Sequence, residues 1–487
     1  MFAQYMLQIL GANYESRIIV FDFDNIESMY SYTDLLKEAG FNIIYYKDSV
    51  EFRYIYESSI KPSKEKFAVI VDNKEQYVPY DILKSFYNAN ISWNELFPNL
   101  DKDIINKDRN IELPLLHNVY NKSLYSYENT ANTNSYIMER LYEKENVEDY
   151  LKDLQNELKE LTFKDKLTYN EWKHIAAKKG KGEYIAAKSG ATVDFSFIDE
   201  KFKQFILEEY KFISGIVDSK SPIIVSRVMD FITKNEKIAL IILDCMSILD
   251  FNIISSKFEG IEYEEDYIYA LIPTTTAISR QSLLSGKFPV ELDKPFDLSR
   301  EEREFKAKAK SLGYLDKQIC YAKGYDIDIG PGIKCLSIIL NDIDSLVHGQ
   351  QQGRIGMYND VNFFAQSGKL QKLIMKLYKE GFNIYLVSDH GNTLCKGMGI
   401  VKGIGVEVET KSKRMIILKD FAESRELIQK YNLIEYPGYY LDKQYQYLIC
   451  NTGTSFDVKN SMVMTHGGIS IDEVIVPFIK VKAVYYG

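Results

Sequence analysis

A chain of 487 residues is longer than one hydrophobic core ordinarily serves, so two or three domains are expected. With 46% hydrophobic residues, 26% charged residues and 11 prolines, the composition is that of a folded protein and excludes a collagen-like or largely disordered chain. The net charge of −9, from 60 basic against 69 acidic residues, excludes a surface built throughout to hold a nucleic-acid backbone, although a local basic groove stays open.

The opening MFAQYMLQIL lacks the basic segment of a signal peptide, and the longest apolar runs, such as IALIIL at 238–243, are too short to span a bilayer. The expectation is a cytoplasmic protein without membrane attachment. The five cysteines, Cys245, Cys320, Cys335, Cys395 and Cys450, are scattered and never form a CxxC pair. They read as free thiols in a reducing compartment, not as a disulfide framework or a thiolate zinc site.

From Arg17 the chain alternates in an α/β manner: RIIVFDFD, NIIYYKD and KFAVIVD have the pattern of strands, and residues 26–39 have helical spacing. Residues 1–95 are therefore expected to form a small α/β domain, Rossmann-like or receiver-like, on a parallel sheet. Asp22 and Asp24 end its first strand as a DxD pair. Such a pair suits the nucleophile and acid/base of a haloacid-dehalogenase phosphatase, or the Mg²⁺ carboxylates of a receiver domain. Helix capping is the plainer reading and is favoured.

Residues 96–230 read as a mainly helical connector, with dense Glu/Lys pairing over 144–161. Within it, Lys173, Lys178, Lys179, Lys181 and Lys188 cluster near Trp172 and Tyr184. A solvated helix face broken by glycines is the preferred reading of this stretch, ahead of a groove for nucleic acid.

A second α/β alternation occupies residues 231–487. IALIIL ends at Asp244, YIYALI ends at three threonines (Thr274, Thr275 and Thr276), KCLSIIL ends at Asn341, and NIYLVSDHG ends at Asp389 and His390. In an open parallel sheet the loops after the strands converge on one rim, where ligands bind. Asp344 and His348, four residues apart, share one face of a helical turn, whereas Asp342 faces elsewhere. His466 stands in THGG, whose glycines let the backbone approach a crowded centre.

Three of the chain's five histidines thus gather beside carboxylates at one rim. Asp244, one threonine, Asp344, His348, Asp389, His390 and His466 supply carboxylate and imidazole ligands without thiolate. That set suits zinc, with manganese or magnesium as alternatives, and fits two divalent ions better than one. Such a pair, about 3.5–4 Å apart in general, clamps the attacking and leaving oxygens of phosphoryl transfer.

The order Asp, Thr, DxxxH, DH, His resembles the alkaline phosphatase superfamily, in particular its nucleotide pyrophosphatase/phosphodiesterase, sulfatase and PglZ branches. The flanking segments and the closing THGGISIDEVIVPFIKV resemble the PglZ family of bacterial BREX phage-defence operons. The resemblance covers roughly residues 235–485 and implies an alkaline-phosphatase-like catalytic domain. It selects Thr276 as the nucleophile, by its spacing to Gly286 in SGKFP. It implies one metal held by Asp244, Thr276, Asp389 and His390, and another held by Asp344, His348 and His466. Where phosphodiesterase relatives carry an asparagine, this chain has Ser279, so stabilisation of the phosphoryl oxygens is expected to fall to Arg280 and backbone amides.

The expectation is a two-metal phosphodiesterase acting on a phosphodiester, an oligonucleotide or nucleic acid included, with protein partners of a defence system. A non-catalytic metal-binding scaffold of a defence or signalling complex is the rival. Thr274 and Thr275 are expected to tolerate alanine far better than Thr276.

Overall fold

The structure, a computed structural model, describes residues 2–102, 105, 111–123, 130–233, 237–400, 413–419 and 424–485. Two compact units make up the chain, Met1–Asp153 and Leu154–Gly487. The helical stretch read as a connector is divided between them, with residues 96–153 in the first unit and 154–230 in the second. Among the described residues, no helix is long and apolar enough to cross a membrane.

In the first unit the strands β1 (Arg17–Phe21), β2 (Phe41–Tyr45), β3 (Lys66–Val71) and β4 (Tyr87–Asn90) form one sheet. All pairings are parallel, in the order β2-β3-β1-β4. The β-branched runs of β1 and β3 place Ile19, Val69 and Val71 in a core with Phe52, Tyr56 and Phe86. This order is neither that of a receiver, where strand 1 lies between strands 2 and 3, nor the 3-2-1-4 order of a Rossmann sheet.

Asp22 accepts hydrogen bonds from the amides of Ile26 (2.8 Å) and Glu27 (2.9 Å) and from the Tyr32 hydroxyl (3.1 Å). Asp24 accepts from the Trp93 amide at 3.0 Å. Asp22 serves local backbone, as a helix-capping carboxylate does, and Asp24 holds an amide 69 residues away, so the phosphatase and receiver readings of the pair have no support in this geometry.

The second unit carries β5 (Ile238–Leu243), β6 (Ile261–Tyr269), β7 (Ile319–Lys323), β8 (Cys335–Leu340), β9 (Asn383–Val387), β10 (Thr393–Gly397), β11 (Met415–Leu418), β12 (Leu433–Tyr436), β13 (Gln446–Cys450), β14 (Thr454–Ser455), β15 (Met462–Thr465) and β16 (Ile475–Val484). Its main sheet has the order β6-β16-β9-β5-β8-β7. Every residue of β5 and β8 is buried, which explains their unbroken apolar sequences: both faces are covered.

Strands β9, β5, β8 and β7 run parallel, whereas β16 is antiparallel to both its neighbours, β6 and β9. The reversal has a consequence for the rim. The start of β16 lies where the other strands end, so the loop before it, with His466, reaches the same rim as Asp244 and His390. Pairing of β10 with β15, Thr393 opposite Thr465, sets the His390 loop beside His466.

The lysine-rich stretch differs from its reading as a solvated face. Residues Tyr169–Ser189 are one unbroken helix opened by a Thr168/Glu171 capping box, and Lys173 and Lys179 are buried. Its glycines permit close packing. A Cβ on Gly180 would stand 2.5 Å from Ile248 Cγ2, and one on Gly182 would stand 2.6 Å from Leu154 Cδ2. Lys179 Nζ lies 2.7 Å from Glu183 and 2.5 Å from Asp472, Arg354 also pairs with Glu183, and Lys173 Nζ is 2.6 Å from Asp266.

Candidate active site

The three threonines have three different tasks. Thr274 is buried; its hydroxyl donates to the Gly468 carbonyl (3.0 Å) and accepts from the Gly467 amide (3.1 Å), while its own carbonyl faces His466 Nδ1 at 3.0 Å. It ties the strand end to THGG. Thr275 is the N-cap residue of the helix Thr276–Ser285, with its hydroxyl buried and making no hydrogen bond. Thr276, half-buried at the first position of that helix, lies with Oγ1 3.1 Å from His390 Nε2 and 3.3 Å from Asp244 Oδ1. A hydroxyl there sits at the amide end of a helix, where negative charge is favoured.

Asp244, directly after β5, is not the cap of the following helix, a task taken by Ser247 with Asp250 in a capping box. It turns to the rim, with Oδ1 3.7 Å from His390 Nε2. Asp389 is fully buried; its Oδ1 accepts from the amides of Cys245 (3.2 Å) and His390 (3.1 Å), and its Oδ2 has no hydrogen-bond partner. On the helix Asp342–Gly349, Asp344 Oδ1 stands 3.2 Å from His348 Nε2 and 3.7 Å from His466 Nε2, while Asp342 faces away and accepts from the Tyr325 hydroxyl. The rings of His390 and His466 are stacked with centroids 4.5 Å apart, and those of His348 and His466 are 5.4 Å apart.

The ring orientations follow from the backbone. Nδ1 of His390 faces the Gly391 carbonyl at 3.1 Å, as Nδ1 of His466 faces that of Thr274. A carbonyl only accepts, so in the neutral rings the proton sits on Nδ1 and each Nε2 presents its lone pair to the rim. This arrangement is that of metal-binding histidines held by their second nitrogen.

Among the described residues, ligand-type atoms gather in two groups, each mutually within 4.8 Å: Asp244, Asp389 and His390 in one, and Cys245, Asp344 and His466 in the other. His348 adjoins the second through Asp344. The donor chemistry fits a pair of cations. Burial, followed by the charge of Asp389, pushes Asp244 up to about 7, and burial pushes Asp389 up to about 6. Burial holds His466 down at about 4. Asp344 is lowered to about 2: burial raises it, and the nearby His348, His466 and His390 outweigh that. Crowded buried carboxylates and two buried acceptors without a donor, Asp344 Oδ1 and Asp389 Oδ2, are what dications would satisfy.

Arg280 has a structural task beside the role on the substrate expected of it. It is buried, with Nη1 2.6 Å from Asp244 Oδ2 and Nε 2.8 Å from Glu301 Oε2. These donors brace Asp244 from behind. Ser279 is likewise turned inward and accepts from the Leu271 amide at 2.9 Å.

Residues that sequence reasoning missed are Glu301, Cys245, and the buried pair Arg414 and Glu473. Glu473 accepts from the Gly468 amide (2.8 Å) and the Ser470 hydroxyl (2.6 Å), and so shapes the loop that carries His466. The IDE segment after THGG carried no spacing signal for this.

A family model, the BREX system PglZ alkaline phosphatase-like domain, matches residues 224–481, more than half of the chain. The chain belongs to the PglZ family. Its second unit therefore holds a PglZ domain with a phosphoesterase-type fold, in a mixed α/β architecture. No curated protein matches the chain. Among solved structures, murine ectonucleotide pyrophosphatase/phosphodiesterase 5, in an inactive form complexed with AMP, is 12% identical over 50% of this chain and 88% of its own, with a TM-score of 0.33. Its human counterpart is 14% identical over 50% and 87%, with a TM-score of 0.32. Phosphonoacetate hydrolase from Sinorhizobium meliloti 1021 is 10% identical over 50% and 89%, with a TM-score of 0.29.

Proposed function

We propose that this PglZ domain is a metal-dependent phosphohydrolase, with phosphodiesters as its substrate class and Thr276 as its nucleophile. The observation that carries this reading is the position of Thr276 Oγ1, at a helix amino end and within 3.3 Å of both Asp244 and His390. Asp244, Thr276, Asp389 and His390 would hold one divalent ion and Asp344, His348 and His466 the other, zinc suiting this set best. Bound there, the ions supply positive charge to a phosphoryl group and lower the proton affinity of a hydroxyl.

The protein's own groups do the rest. Asp244 and His390 fix the Thr276 hydroxyl on the rim, and the helix amino end favours the transferred phosphoryl charge. Arg280 holds Asp244 through Nη1, and its Nη2 donors are those that would meet the phosphoryl oxygens. In a BREX setting the substrate would be nucleic acid or an oligonucleotide, met together with other proteins of the defence system in the cytoplasm.

The direct test is hydrolysis of a chromogenic phosphodiester by the full chain before and after chelation. Turnover that chelation removes and zinc restores is expected. No turnover under either condition, with two metal equivalents bound, would favour a non-catalytic scaffold.

The two ions are expected to separate by mutation. His348→Ala should bind about one equivalent less metal than wild type, and Asp389→Ala should lose the other, as measured by elemental analysis after dialysis. Full occupancy in His348→Ala would remove it from the ligand set.

Acid should empty the Asp244 site. A ligand carboxyl must shed its proton to bind, so above pH 7 these groups impose no penalty. As the pH falls through about 7 Asp244 becomes protonated, and Asp389 follows near 6. Affinity is expected to fall about tenfold per pH unit below 7 and more steeply below 6. Equilibrium dialysis between pH 8 and 5 checks this, and a flat profile would count against both carboxylates as ligands.

A further inference from the structure

We propose that the Cys245 thiol is a further ligand of the ion held by Asp344, His348 and His466, which makes that position a mixed oxygen, nitrogen and sulfur site for a thiophilic dication of the zinc class. The inference rests on the two-ion reading above and adds a residue to it. Cys245 is fully buried, and its Sγ, a carboxylate oxygen of Asp344 and a ring nitrogen of His466 lie mutually within 4.8 Å. Its contact with the Gly391 carbonyl, at 3.7 Å, is long and weak.

The backbone aims this side chain. Cys245 has a φ of 67°, a left-handed conformation that residues other than glycine adopt where their surroundings impose it. Here its amide donates to Asp389 Oδ1 at 3.2 Å, its carbonyl accepts from Asn392 Nδ2 at 2.8 Å, and the next amide, of Met246, donates to Ser388 Oγ at 2.9 Å. The segment after β9 thus holds both Asp389 and the turn that carries the thiol. Independently, Asp344 Oδ1 is a buried oxygen without a hydrogen-bond partner, so the group that holds the thiol has an acceptor that a cation would satisfy.

Burial, followed by the charges of Asp344, Asp244 and Asp389, raises the Cys245 thiol well above its ordinary range, so the thiolate forms only together with a bound ion. Asp344 alone, with two neutral imidazoles, leaves one positive charge of a dication unbalanced in a buried place; one thiolate closes the balance. On binding, the S–H bond breaks, the proton leaves to solvent, and a sulfur lone pair forms the bond to the ion, with no change of oxidation state. Sulfur in the set favours zinc, cadmium or cobalt over magnesium.

The test uses the full chain, stripped of metal and reloaded with Co²⁺, with bound cobalt and the near-ultraviolet sulfur-to-cobalt charge-transfer band measured together. Wild type is expected to bind two equivalents and show the band. Cys245→Ser should lose it, as should Cys245→Gly, which fits the left-handed backbone and guards against misfolding. Cys395→Ser should keep it. Two equivalents of cobalt without a sulfur band in wild type overturn the assignment of Cys245 while the two-ion reading stands. A band that survives in Cys245→Gly overturns it equally. Failure of wild type to bind cobalt overturns both.

Discussion

Thr276→Ala is expected to lower hydrolysis of a chromogenic phosphodiester by about a thousandfold or more, with thermal stability close to that of wild type. The substitution deletes a half-buried hydroxyl on the rim whose neighbours are Asp244 and His390, so it removes chemistry without opening the core. Thr276→Ser, which keeps the hydroxyl, should retain a measurable share of the rate.

The neighbouring threonines should behave differently from each other. Thr275→Ala removes a buried hydroxyl that makes no hydrogen bond, so it should be neutral in both rate and stability. Thr274→Ala leaves the Gly467 amide without its acceptor and frees the loop that orients His466, at a cost of about 1–3 kcal/mol. Tolerance at Thr274, expected from sequence, is therefore withdrawn. Rates and melting curves of the three alanine variants check this division of labour. Wild-type turnover in Thr276→Ala would remove it as the nucleophile.

What was legible in the sequence was whatever a strand end announces. The apolar runs of β5, β8 and β9 are continuous because both sheet faces are covered, and the polar residues that follow each run within three positions lie at one rim. Asp244, Asp389 and His390 could be placed from that rule, and Asp344 with His348 from helical spacing. The antiparallel course of β16 was not legible, since the final strand's apolar pattern is the same in either direction.

Three further features depend on partners remote in sequence or on backbone angle. Arg280 reads only as a substrate-facing cation until Asp244 and Glu301 are seen to hold its Nη1 and Nε. The thiol of Cys245 is aimed by a left-handed φ that no residue type at that position signals. In the first unit, a parallel α/β sheet was readable but its strand order was not, because order is set by packing of the connections and not by the strands themselves.

The lysine stretch carries the largest expected effect on stability. Lys179 has a side chain 3% exposed and lies between Glu183 and Asp472, the second of which is 293 residues away in the chain. Burial opposes its charge, and Asp472 and Glu183 outweigh that and hold the ammonium form. Lys179→Met keeps most of the volume and deletes the charge, leaving Asp472 without its buried cation and Glu183 with Arg354 alone. A loss of about 3–5 kcal/mol is expected, against under about 1 kcal/mol for Lys178→Met, whose partner Glu157 is half exposed. In thermal unfolding the first variant should melt lower by several degrees, roughly 2 °C or more per kcal/mol. The same pair of variants decides what the lysines do for substrate. A nucleic-acid groove would make Lys179→Met lose oligonucleotide cleavage at unchanged melting temperature, with a small diester hydrolysed as before. A buried brace predicts the opposite pattern, in which both substrates lose rate in proportion to the folded protein remaining. Because Asp472 adjoins Glu473 in the segment that follows His466, bound metal should fall along with them.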